Sequence, residues 1–139
     1  MKRNEPITKI MSTQLITVHH GEPLSKVRQL IRDQGLHHVP VVSGDQLVGM
    51  LSSVDILKLN FGAVSGDERA VDAALDHGFK IEDIMETELV TLTEHSTIRE
   101  AAEALISGEF HSLPVVNGGK LVGLVTSTDL IRYLLEQYQ

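Results

Sequence analysis

Two segments of the chain carry the side chains best suited to chemistry, Gly49-Met50-Leu51-Ser52-Ser53-Val54-Asp55 and Gly123-Leu124-Val125-Thr126-Ser127-Thr128-Asp129. In each, a β-rich run gives way to a helical pattern. A helix N-terminus presents backbone N–H groups and positive potential, which suits a phosphate. Hydroxyls at Thr126 and Thr128 add donors, and the carboxylate of Asp129 can accept from the two hydroxyls of a ribose, with two sites implied by the two copies. This is a nucleotide-shaped set of groups. The same spacing has a second reading, because Ser/Thr-x-x-Asp is a relative of the capping box and can satisfy a helix end with no ligand at all. Spacing leaves both readings open.

Histidine supplies the next candidates. His37 and His111 each stand three residues before a proline, in His37-His38-Val39-Pro40 and His111-Ser112-Leu113-Pro114, and such prolines begin a strand or lie on a sheet edge. A histidine beside each helix start could bond a phosphate, or be satisfied by backbone. Metal is the weaker option. His19-His20 and His37-His38 are adjacent pairs whose side chains diverge on a strand, and the first pair is matched by Thr93-Glu94 in the second half, so no metal site is predicted. There is no cysteine nucleophile, Gly-x-Ser-x-Gly elbow, His-Glu-x-x-His or Walker-type loop, so no catalytic residues and no enzyme are expected.

Those segments are positioned by a duplication. Ile10-Met11 aligns with Ile84-Met85 at an offset of 74, and the same offset holds without a gap from Ile10–Asn60 onto Ile84–Leu134. It pairs His37 with His111, Pro40 with Pro114, Gly49 with Gly123 and Asp55 with Asp129. Units of about fifty residues bury too little to fold well alone, so the two are expected to share a core. Leu15–Val18 and Leu89–Leu92 read as strands. Leu24, Val27, Leu30 and Ile31, and Ile98, Ala101, Ala102, Leu105 and Ile106, read as helices stopped by Gly35 and Gly108. Ser43-Gly44-Asp45 and Asn117-Gly118-Gly119 mark hairpins. A last helix starts near Ser53 or Ser127 and is expected to bury Ile56 and Leu57, or Leu130, Ile131 and Leu134. The order is β-α-β-β-α twice, a mixed α/β (α+β) fold. The boundaries are a lead-in at 1–9, repeats at 10–60 and 84–139, and a linker at 61–83 with its own helix over Ala70, Val71, Ala74 and Leu75, stopped at Gly78.

Composition narrows the partners. With 12 Lys+Arg against 19 Asp+Glu the net charge is −7, and the longest basic run is Lys2-Arg3, which argues against nucleic acid. No apolar run reaches membrane-spanning or signal-peptide length, so no membrane association and a cytoplasmic location are expected.

Taken together, Ile-Met at the start of each unit, His-x-x-Pro-Val-Val, Leu-Val-Gly and Gly-x-x-Ser/Thr-x-x-Asp resemble a tandem pair of CBS domains, the module named after cystathionine β-synthase. The resemblance covers about 10–60 and 84–134. It implies a pseudo-twofold pair with two clefts, association into homodimers, and binding of an adenine nucleotide (AMP, ADP or ATP, in some members S-adenosylmethionine) that regulates a partner protein. No obligatory cofactor is implied. By that likeness Asp129 and Asp55 would hold ribose, Thr126, Thr128 and Ser52 would approach the ribose-phosphate, and His111 and His37 would face phosphates. Ile16, Val90, Leu36 and Phe110 would line the adenine slots. Thr128 matches the hydroxyl that the family often has before the aspartate and Val54 does not, so the Asp129 site is expected to be the better one. Arg132 and Lys58, one helical turn beyond the aspartates, would offset phosphate charge or stand as exposed helix cations. A docking module with no small-molecule ligand is the alternative.

Overall fold

The computed structural model describes residues 4–59, 67–108 and 111–138. Each repeat builds a three-stranded sheet from the expected pattern. In the first, β1 (Val18–His19) runs parallel to β2 (His38–Ser43), which turns back on β3 (Gln46–Ser52). The crossover between β1 and β2 is α1 (Leu24–Gln34), stopped by Gly35 at φ 65° as its sequence predicts. In the second, β4 (Leu92–Thr93) runs parallel to β5 (Ser112–Asn117), which pairs antiparallel with β6 (Lys120–Thr126). The hairpin there turns on Gly118 and Gly119 at φ 58° and 84°, a left-handed pair that twists with the strands. Pro40 pairs with Met50, while β1 joins β2 only from Val41 onward, so the proline sits where β2 has one neighbour and its missing N–H costs no ladder bond.

α2 (Ser53–Leu57) completes the first repeat, α3 (Glu68–Gly78) and α4 (Ile81–Ile84) follow it, and α5 (Ile98–Leu105) and α6 (Ser127–Glu136) complete the second repeat. The fold is mixed α/β. Packing divides the chain differently from the repeats: one compact unit is 16–88, the other 1–15 with 89–139. The opening residues of each repeat, with the few before them, therefore pack on the other repeat's sheet. Ser12 and Leu124 exchange backbone hydrogen bonds of 2.8 and 3.0 Å, and Glu86 and Met50 do the same at 2.9 and 3.0 Å. Ile7 and Ile81, equivalent under the offset, are each fully buried in the unit so closed.

Three expectations need correction. The strands begin at Val18 and Leu92 rather than at Leu15 and Leu89, because only from there does the backbone meet β2 or β5; Ile16 and Val90 are 39% and 40% exposed. The second-repeat helix ends at Leu105, and Gly108, at φ 78°, belongs to the turn beyond it. The last helices bury less than their periodicity suggested. Ile56 is buried but Leu57 is 82% exposed, since a five-residue helix has a single turn to offer the core. On α6, Leu130 and Tyr133 pack on the core, leaving Ile131 and Leu134 on the other face.

The expected linker helix is α3. Asp67 caps it by accepting from Ala70 N at 3.0 Å, and Leu75 is buried in the core of its own unit. Its acidic face lies along α1: Arg28 reaches Asp72 at 2.9 Å and also pairs with Glu68, holding that carboxyl below the usual carboxylate range. At the far end Asp76 accepts from Ser25 N at 2.8 Å and Ser25 Oγ at 2.6 Å. This supplies α1 with the cap it lacks, because its N-cap residue is Pro23, which has no side-chain acceptor. Asp76→Ala is expected to cost about 1 kcal/mol in urea unfolding and Asp76→Asn distinctly less. Equal effects would remove Asp76 as the cap.

Candidate functional site

The two Ser/Thr-x-x-Asp segments occupy equivalent corners, each at the junction of the last strand of a repeat with its following helix. Extended backbone at Ser52 and Thr126 turns the chain into α2 and α6. Both capping boxes close. Asp55 N donates to Ser52 Oγ at 3.1 Å and Ser52 N to Asp55 Oδ2 at 2.9 Å. In the second copy Asp129 N donates to Thr126 Oγ1 at 3.3 Å and Thr126 N to Asp129 Oδ2 at 2.8 Å. Aspartate is short for this role, yet it reaches in both copies, so each carboxylate is oriented by its own helix end.

Histidine enters through its backbone. His37 O accepts from Ser53 N at 2.9 Å and His111 O from Ser127 N at 3.3 Å, so the residue just before β2 or β5 ties off the first helical amide. Both residues are exposed, and among the described residues neither imidazole has a hydrogen-bond partner. The sequence pointed to these positions through the ring; the bond that makes them part of the corner belongs to the main chain, which a residue pattern does not reveal.

Each unit contains its own set of the candidates. Unit 16–88 holds Ile16, Leu36, His37, Ser52 and Asp55, and unit 1–15 with 89–139 holds Val90, His111, Thr126, Thr128 and Asp129. Leu36 is half-buried and packs against the core of its unit. Phe110 lies outside the described residues. Thr128 is exposed, and Val54 at the matching position is 52% exposed. Asp129 has a further partner, with Arg132 Nη1 at 3.2 Å from its Oδ1. Among the described residues Lys58 makes no matching pair with Asp55.

Elsewhere the paired histidines are used locally. Gly21 N donates to His19 Nδ1 at 3.1 Å, and His20 Nδ1 lies 2.8 Å from Glu82, whose carboxyl is held low by that contact. Among the described residues no cluster of three or more His, Asp or Glu takes up a metal-binding arrangement. No helix among them is long and apolar enough to cross a membrane.

Comparison with known proteins adds the lineage. The CBS domain model matches residues 7–62 and 81–136, one match for each repeat. A protein of Methanocaldococcus jannaschii, MJ1404, is 30% identical over 138 residues, which are 96% of this chain and 33% of that protein. The chain thus spans about a third of that relative's length. Among solved structures, CBSX2 in complex with AMP (CBSX2 is from Arabidopsis thaliana) has a TM-score of 0.80 at 21% identity, covering 97% of this chain and 99% of that one. The CBS domain pair of protein MJ0100, in complex with 5′-methylthioadenosine and S-adenosyl-L-methionine, has a TM-score of 0.72 at 24% identity, covering 93% and 98%. Matched twice by the domain model, over most of its length and in both repeats, the chain belongs to the CBS domain family.

Proposed function

We propose that the protein is a regulatory module that binds an adenine nucleotide, AMP, ADP or ATP, and signals its occupancy to a partner protein. The observation that carries this reading is the matched pair of strand-to-helix corners, each with a hydroxyl and a carboxylate held in a fixed frame. Asp129 takes the ribose diol, with Thr126 and Thr128 beside the ribose-phosphate and the exposed His111 ring turned to phosphate. Asp55, Ser52 and His37 form the weaker counterpart, since Val54 supplies no hydroxyl. Ile16 and Val90, exposed beside the first strand of each repeat, have apolar surface to offer an adenine. The solved pairs in complex with AMP, 5′-methylthioadenosine and S-adenosylmethionine support an adenosyl ligand. Signalling requires that the ligand prefer one geometry of the protein over another.

The test is thermal unfolding with AMP, ADP, ATP and S-adenosylmethionine, each at about 1 mM. A ligand at about 100 times its Kd adds roughly 2.7 kcal/mol to the native state, which gives a clear shift. Asp129→Asn keeps an acceptor for the cap while removing the charge, and it should abolish most of the shift. No shift with any of the four would favour a docking module without a small ligand, a reading supported by the fact that both capping boxes close on their own.

We also read the protein as a homodimer. Ile131, Leu134 and Leu135 recur at helical spacing on the outer face of α6, with Tyr138 in the turn just beyond its end, and the four are 64%, 44%, 64% and 80% exposed. A second copy would cover this stripe with its own. Leu135→Glu should convert the dimer to a monomer in light scattering; an unchanged mass would place the contact elsewhere.

A further inference from the structure

Asp129 and Asp55 sit in matching frames but differ at the second carboxylate oxygen. In both copies the cap takes Oδ2, which accepts from Thr126 N at 2.8 Å and Thr126 Oγ1 at 3.2 Å in one, and from Ser52 N at 2.9 Å in the other. Oδ1 of Asp129 accepts from Arg132 at 3.2 Å. Among the described residues Asp55 has no such cation. Both boxes nevertheless close, so the cap does not need the arginine. Asp129 is 16% exposed and Arg132 63%, so the carboxylate is the held partner and the guanidinium the one with room to swing.

A ribose diol bound by Asp129 has to share Oδ1, the oxygen the cap leaves over, with Arg132. The guanidinium, tethered one helical turn away and exposed, can then turn to a second anion beside that carboxylate. A phosphate on the ligand provides that anion in the bidentate geometry that suits arginine. An adenosyl compound without phosphate provides no such anion and gains nothing from the arginine. Charge acts in the same direction: in a chain of net charge −7, a lone carboxylate repels phosphate, whereas one paired with arginine does not.

Resting on the nucleotide reading given above, we propose that Arg132 makes the Asp129 site select adenine nucleotides that carry phosphate over adenosyl compounds that lack it. Among the described residues the first repeat shows no such selector, since Lys58 makes no pair with Asp55 where Arg132 is engaged, and Val54 stands where Thr128 adds a hydroxyl.

The experiment is isothermal titration of the full chain with AMP and with 5′-methylthioadenosine, in the unsubstituted protein and in an Asp55→Asn background that weakens the first repeat's hold on a diol. In that background Arg132→Gln should weaken AMP about tenfold or more and leave methylthioadenosine unchanged or tighter. Arg132→Lys, which keeps the charge without the planar fork, should fall between. Because Arg132 is exposed, both variants should unfold where their parent does. An equal change for the two probes, or no change for either, overturns the selector while the nucleotide reading stands. Failure of both probes to bind the unsubstituted chain overturns the nucleotide reading, and the selector with it.

Discussion

Replacing Ile7 by alanine is expected to destabilise the protein by about 2–5 kcal/mol, the range for truncating a fully buried isoleucine in a packed core. Ile7 has no exposed surface and belongs to the same core cluster as Leu92, Ile98, Ala101, Leu105, Leu113, Val115 and Val125. Its backbone is held as well, with Ile7 N donating to Ser96 O and Ile98 N to Glu5 O, both at 2.8 Å. A domain of this size has only about 5–15 kcal/mol in total, so the loss is a large share of its stability. Urea unfolding measures it. Ile81→Ala should behave alike, because Ile81 fills the matching place in the other unit. A loss below about 1 kcal/mol for Ile7→Ala would mean that the N-terminal segment does not close the second repeat in solution.

Gly49→Ala should cost about 1–3 kcal/mol through overpacking. A Cβ at Gly49 would meet the Met85 sulfur, with Met85 Cγ at 2.8 Å and Cβ at 3.1 Å. Rotating the tip of the methionine cannot relieve a contact with its Cβ, so backbone has to move. At Gly123 the corresponding distances to Met11 are 2.6 Å to Sδ, 3.1 Å to Cγ and 3.4 Å to Cβ. The side chain has more room there, and Gly123→Ala should cost less. Adding Met85→Ala to Gly49→Ala should recover part of the loss, a coupling that a double-mutant cycle reads directly. Purely additive effects would show that the glycine serves backbone conformation and not the approach of the methionine.

That glycine–methionine contact separates what the sequence by itself determined from what the tertiary structure decided. The offset of 74 aligned Gly49 with Gly123 and Met11 with Met85, but nothing in it showed that each methionine lies on the glycine of the other repeat. The duplication, the element order, the Gly35 stop, the hairpin at Asn117-Gly118-Gly119 and the closed boxes at Ser52–Asp55 and Thr126–Asp129 were legible because their interactions close within a few residues, where residue type and spacing dictate geometry. The cap of α1 was not legible in this way, since Asp76, which supplies it, lies 51 residues from Ser25. The exposure of Leu57, Ile131 and Leu134, the exchange of the lead-in segments, and the backbone role of His37 and His111 were decided only by tertiary packing. The candidate site shows the same division. Its carboxylates and hydroxyls could be named from their spacing, and the split of Asp129's two oxygens between cap and Arg132 could not. Burial and long-range pairing depend on where distant elements come to rest, and local preference contains no information about that.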